Sequence, residues 1–181
     1  MIILELYVIR HGQTIINKLG LINSRNCIGL NKTGCIEAEK ASEEIKKINF
    51  DLIICSPNKR TKQTCKIINK NNIKVIYDER LLERDSRSMQ FKLASILDVN
   101  MWYDVNKEIV YKNSEGFKSI MDRSKKLLDE LKEKYSNKTI LLVTHGDVCK
   151  AINANLNNII DAKTINSLEH GHCEIKKYNL K

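Results

Sequence analysis

The sequence predicts an α/β protein: a three-layer sandwich with a central, mostly parallel sheet and helices on both faces. Short Ile-, Leu- and Val-rich runs are apolar on consecutive residues, as strands covered on both faces require. Each of the first runs is followed by a segment of helical period, and that alternation implies right-handed crossovers between parallel strands.

The elements follow in order. Ile2 to Ile9 is a strand that ends at Arg10. Thr33 to Ile48 is a helix with Ile36, Ala41, Ile45 and Ile48 assigned to one apolar stripe. Asp51 to Cys55 and Ile73 to Tyr77 are strands on either side of a helix over Pro57 to Asn69. Residues 79–114 mix Arg, Asp, Ser, Met and aromatics without a clean period, so a loop with short helices, capping one end of the sheet, is expected there. A long helix over Glu115 to Tyr135 carries Ile120, Leu127, Leu128 and Leu131, and Thr139 to Thr144 is the fourth strand. Asp147 to Leu156 is a further helix, and Cys173 to Leu180 alternates enough for a last edge strand.

The 181 residues suit one domain spanning 1–181, since domains cluster at roughly 100–200 residues. A hydrophobic content of 42%, a single proline and no low-complexity tract fit a compact fold. The first residues lack a basic region, and Glu5 interrupts their apolar run, so they read as a strand and not as a signal peptide. No window has the roughly 20 apolar residues of a membrane span. A cytoplasmic protein with no membrane partner is the expectation.

The six cysteines include no CxxC pair and read as reduced, mostly buried thiols. A cysteine-nucleophile phosphatase would need an arginine one short loop beyond its cysteine, but Thr61 and Asn179 stand at those places after Cys55 and Cys173. The net charge of +9 raises the possibility of nucleic-acid binding. The lysines are dispersed and interleaved with acids, as in LKEKY and EEIKKI, with few aromatics for stacking, so a solvated surface is expected and no nucleic-acid partner. Such a field still attracts small anions.

In open α/β sheets the ligand site lies beyond the carboxyl ends of the strands. Three strands end in groups that chemistry can use: Arg10-His11-Gly12, Ser56-Pro57 with Arg60 one turn on, and Thr144-His145-Gly146. Two histidines and two arginines would then converge. The chain has seven arginines against twenty-four lysines, yet arginine occupies both positions. A planar guanidinium matches the equatorial oxygens of a transferring phosphoryl group by paired, charge-assisted bonds. A neutral imidazole can attack phosphorus if its other nitrogen is held by an acceptor, and the turn at Gly12 offers a carbonyl.

These motifs resemble the histidine phosphatase superfamily, which includes the cofactor-dependent phosphoglycerate mutases. RHGQT with Asn17 is similar to that family's RHG(E/Q)TxxN; Ser56-Pro57, Arg60-Thr61 and Thr64 are similar to SPxxRTxxT; Thr144-His145-Gly146 is similar to its second histidine motif. The resemblance implies that His11 is a nucleophile that becomes phosphorylated, with Arg10, Asn17, Arg60 and His145 around the phosphate and His145 also catalytic. Glu83, in LLER, corresponds to the family's acid, which protonates the leaving oxygen and then helps deprotonate water. The implied activity is a phosphomonoesterase on a small phosphorylated metabolite, through a phosphohistidine, with no cofactor and no metal. A mutase and a non-catalytic phospholigand module are the alternatives.

Other residues are placed outside the chemistry. Glu115 reads as a helix cap or structural residue before Arg123, and Asp147 as a helix cap. His170 and His172, beside Cys173, lack further ligands at usable spacing and read as a polar turn. The sequence departs from the family pattern after Glu83, where Arg87 and Phe91 replace glycines, and between Lys18 and Leu30, where Leu30 and Gly34 alone keep register. Both stretches lie where the rest of the substrate is expected. Arg87 either binds a second anionic group or braces the cap, and Arg25 has the same two readings.

Overall fold

A computed structural model describes residues 4–111 and 113–180. In chain order the elements are β1 (Leu4–Arg10), α1 (Ile15–Lys18), α2 (Lys32–Ile45), β2 (Leu52–Cys55), α3 (Lys59–Ile68), β3 (Val75–Tyr77), α4 (Val99–Trp102), β4 (Ile109–Val110), β5 (Ser114–Glu115), α5 (Phe117–Lys134), β6 (Thr139–Thr144), α6 (Gly146–Asn157), α7 (Ala162–Ser167) and β7 (Ile175–Leu180). The central sheet has the order β3-β2-β6-β1-β7. Its first four strands are parallel, and β7 closes the edge antiparallel to β1.

Alternation along the strands divides two cores. Leu6, Val8, Ile54, Ile140 and Leu142 pack with α5 and α6, through Ile120, Leu127, Leu131, Val148 and Ile152. Ile9, Ile53, Cys55, Leu141 and Val143 point to the other face, where α2 and α3 supply Ala38, Ala41, Ile45, Cys65 and Ile68. Burying one such aliphatic side chain is worth about 1.5–3 kcal/mol. The three layers predicted from the sequence are therefore present.

The helical stripe assigned to α2 needs one correction. Ile36 is 48% exposed, whereas Ala38, Ala41 and Ile45 are buried. At about 100° per residue, Ile36 stands half a turn away from Ile45, on the solvent side. The cap differs too. Besides three 3-10 turns (Glu79–Leu81, Arg87–Met89, Ala94–Ile96) and α4, it holds a small β4-β5 hairpin, whose two-residue strands are too short to show a period. The cap is tied to the loop after β1 by the Leu21–Leu93 bridge, by the Ile22 N–H donating to Lys92 O at 2.8 Å and by the Phe91 N–H donating to Ile22 O at 2.9 Å.

Register positions the site. Arg10 lies opposite Thr144, and Cys55 opposite Val143, so His11, His145 and Ser56 emerge together at the carboxyl edge of three neighbouring strands.

Candidate active site

The ladder continues one step past β1, where the His11 N–H donates to Thr144 O at 2.9 Å, and this holds the imidazole beside the end of β6. His11 Nδ1 lies 2.8 Å from Gly12 O. A carbonyl only accepts, so Nδ1 carries the proton and Nε2 keeps its lone pair. Gly12 in turn donates its N–H to Thr64 Oγ1 at 3.1 Å, while Thr64 donates to Arg60 O at 2.8 Å. The RHG turn is thus locked to the first turns of α3. Only glycine fits there, because a Cβ on Gly12 would collide with the backbone of Gly34.

Arg60, fully buried, donates from Nε to His11 Nε2 at 3.1 Å and from Nη2 to Ser24 O at 3.0 Å. His145 is the N-cap residue of α6; its Nε2 pairs with Ser56 Oγ at 2.8 Å, and its ring centroid lies 5.2 Å from that of His11. Thr61 Oγ1 donates to the carbonyls of Ser56 and Asn58, which holds the Ser56-Pro57 bend. Arg10 donates from Nη1 to His170 O at 3.0 Å. Glu83 is 7% exposed and accepts the Arg84 N–H at 3.0 Å. The ligand atoms of His11, Glu83 and His145 all lie within 4.8 Å of one another.

The electrostatics follow from this burial. Desolvation, then the charges of Arg60 and Arg10, hold His11 well below the ordinary imidazole value. His145 is lowered for the same leading reasons, with His11 adding to them. Desolvation and then the Asp147 charge push the Glu83 carboxyl up, against the pull of Arg60. The two histidines are neutral bases and Glu83 is a carboxyl that retains its proton to higher pH.

Several buried nitrogens here have no hydrogen-bond partner among the described residues: Arg10 Nε, Arg60 Nη1, His145 Nδ1 and His172 Nε2. Leaving one such group unsatisfied costs about 1–3 kcal/mol. The spacing of His11, Glu83 and His145 is also one that metal ligands use. The His11 lone pair, however, already faces Arg60, and two guanidinium groups flank the cluster. This donor set suits an anion better than a cation.

The remaining predicted residues take different places. Asn17 closes a capping box on α1, its Oδ1 accepting from Thr14 N and Oγ1 at 3.1 and 2.8 Å, which leaves its Nδ2 as the group able to meet a ligand. Arg25 is a brace: it donates to Glu83 O at 2.9 Å and to Glu115 Oε2 at 2.9 Å. Arg87 pairs with Asp85 on the surface, and Phe91 is 45% exposed; both have positive φ. Glu115 is not a cap, because Gly116 holds that position; it gathers Arg25, Arg123 and the Asp85 N–H.

One expectation changes. Asp147 does not cap α6; its carboxylate turns to Arg84 Nε at 2.6 Å and to the Tyr103 hydroxyl at 3.2 Å. Arg84 is 1% exposed and lies 3.9 Å above the Trp102 ring, so this is a buried ion pair tying the cap to α6 next to Glu83. His172 stands in the polar turn before β7, as expected, and that turn sets its ring centroid 6.1 Å from that of His11. No local pattern marks either residue. The one signal for His172 was a histidine at the start of the strand that pairs with β1.

Residues 6–181 match the family model of the histidine phosphatase superfamily, branch 1. The chain belongs to this superfamily. Among related proteins, the uncharacterized phosphatase PhoE of Bacillus subtilis is 31% identical over 146 residues, covering 80% of this chain and 73% of the relative. Phosphoserine phosphatase 1 of Hydrogenobacter thermophilus is 25% identical over 148 residues, covering 78% and 70%. A phosphoserine phosphatase from Entamoeba histolytica, solved with 3-phosphoglyceric acid, superposes with a TM-score of 0.82 at 26% identity, over 96% of this chain and 89% of that one. A mycobacterial glucosyl-3-phosphoglycerate phosphatase, solved with VO3, shares the fold with a TM-score of 0.83 at 23% identity, over 96% and 91%. This histidine phosphatase is thus an enzyme of the phosphatase class. Among the described residues, no helix is long and apolar enough to cross a membrane.

Proposed function

We propose that this phosphatase hydrolyses a small phosphate monoester in two in-line transfers, with a phosphohistidine on His11 between them. The observation that carries this reading is the His11 imidazole itself: its proton is fixed on Nδ1 by Gly12, and its Nε2 faces Arg60.

In the first transfer the His11 Nε2 lone pair attacks phosphorus, the ester P–O bond breaks, and the leaving oxygen takes the Glu83 proton. Arg10, Arg60 and His145 receive the phosphoryl oxygens through their unpartnered nitrogens, with Asn17 Nδ2 as an outer contact. A dianionic phosphoryl group is a stronger acceptor than an imidazole, so it draws Arg60 off Nε2 and frees the lone pair. In the second transfer water attacks phosphorus, its proton goes to the Glu83 carboxylate, the P–N bond breaks, and His11 is restored. The raised Glu83 carboxyl and the lowered His11 imidazole are the protonation states that the first transfer requires.

Phosphoserine, α-ribazole phosphate and glucosyl-3-phosphoglycerate, taken from the names of similar proteins, are the first esters to assay. Rapid acid-sensitive trapping of labelled phosphoenzyme, beside turnover of that panel, tests the mechanism. Wild type should form an acid-labile adduct that His11→Ala lacks, and normal turnover by His11→Ala would refute the reading.

A further inference from the structure

The segment His170–Glu174 connects α7 to β7 and contains two histidines with different tasks. His170 stays within the turn, its Nε2 lying 2.9 Å from Glu174 O, while the Gly171 N–H donates to Glu174 Oε2 at 2.6 Å. Arg10 pins the turn from both sides. Its Nη1 donates to His170 O at 3.0 Å, and its own carbonyl accepts the Cys173 N–H at 3.0 Å. Cys173 takes a φ of 55°, which reverses the chain tightly before β7 begins. Backbone bonds therefore set the position of His172, and its side chain is not needed to hold the turn.

That position is beside the nucleophile. The His172 and His11 rings are tilted 40° to one another at 6.1 Å, and His172 Nε2 is sealed from solvent with no hydrogen-bond partner among the described residues. A histidine placed only for packing normally has its buried nitrogens satisfied. Burial and the Arg10 charge bring His172 down to about 4, so it is neutral near pH 7 and can carry its proton on the inward nitrogen.

We propose that His172 is a further phosphate-binding residue, donating from Nε2–H to a non-bridging oxygen of the phosphoryl group held at His11. This rests on the reading of the His11 cluster as a phosphate pocket. It places a neutral donor, supplied by the edge strand's turn, among the charged donors of Arg10 and Arg60. The same residue that positions this turn, Arg10, belongs to the pocket, so binding and the β7 edge are mechanically joined.

The test is titration of the full chain with inorganic phosphate and with orthovanadate by calorimetry, for wild type, His172→Ala and His172→Gln. Imidazole nitrogen NMR of the wild type, labelled at histidine, is run alongside. His172→Ala should bind both anions roughly tenfold more weakly at an unchanged unfolding temperature, and His172→Gln, with its amide donor, should recover part of the loss. In wild type the His172 Nε2 resonance should shift on adding either anion. Wild-type affinity in a folded His172→Ala, or an unmoved His172 resonance at saturation, overturns the assignment and leaves the His11 pocket standing. Failure of the wild type to bind either anion overturns the pocket reading itself. Should His172→Ala not fold, the wild-type resonance decides alone.

Discussion

Arg60 Nε donates to His11 Nε2 across 3.1 Å, so one guanidinium both guards the lone pair of the proposed nucleophile and faces the phosphate it would attack. The Arg60 guanidinium also reaches another segment through Ser24 O, while Thr64, one turn on in the same helix, donates to the Arg60 carbonyl. Arg60→Lys retains a charge but loses the planar fork and the Ser24 bond. We expect kcat/KM to fall by about 10²–10³, the usual loss for one oxyanion donor, with weaker phosphate inhibition. Steady-state kinetics with phosphate as inhibitor check this, and an unchanged kcat/KM would show that Arg60 serves the fold alone.

Glu83→Gln keeps the shape of a side chain that is 7% exposed and removes its proton chemistry. Turnover should drop by roughly 10²–10⁴, the range for a general acid, while orthovanadate affinity stays close to wild type. An ester with a leaving group that needs no protonation should be spared most of that loss. Equal losses for good and poor leaving groups would assign Glu83 another role.

The Arg84–Asp147 pair tests the tie between cap and sheet. Asp147→Asn leaves a guanidinium that is 1% exposed without its carboxylate, a change that costs about 3–5 kcal/mol when a buried pair is broken. It also removes the second cause of the raised Glu83 carboxyl, after desolvation. The alkaline limb of kcat should therefore move to lower pH, and thermal melts should show the lost stability. A pH profile that does not move would separate Asp147 from the acid.

Gly34 opens the first full turn of α2 against the backbone of Gln13, which a Cβ would strike. Gly34→Ala must push α2 from the RHG turn, although Gly34 contributes no side chain to the site. We expect turnover to fall more than tenfold together with a lower melting temperature, since backbone cannot yield as a side-chain tip does. An alanine variant with wild-type kinetics would show that this contact is dispensable.

Acid should weaken the fold through the imidazoles. His11 and His145 are held well below the ordinary value, and His172 lies at about 4, so between about pH 6.5 and pH 4 the unfolded chain binds more protons than the native one. Stability from these groups falls as pH falls. Glu83 has the opposite sign, being raised in the native state. His172→Gln removes one imidazole from this balance, so it should lose less stability than wild type between about pH 7 and pH 4.5 in denaturant titrations. Parallel losses in the two proteins would contradict the placement of His172.

The sequence by itself determined the layers and brought together most of the candidate site, because both rest on local patterns. Consecutive apolar runs demand strands buried on two faces, and RHG, SPxxR and THG each start one residue past such a run, at Arg10, Ser56 and Thr144. Parallel order then brings those ends together, and the Gly12 carbonyl lies on His11 Nδ1 through purely local geometry. The tertiary structure alone decided which face of α2 Ile36 takes, how the cap folds, and which charges pair across it. Arg25 and Glu83, Arg84 and Asp147, and His172 and His11 are 58, 63 and 161 residues apart, and strand register and loop closure bring them together. No periodicity encodes such pairs: β7 must pair with β1, and the turn before it must reverse at Cys173, before His172 can lie beside His11.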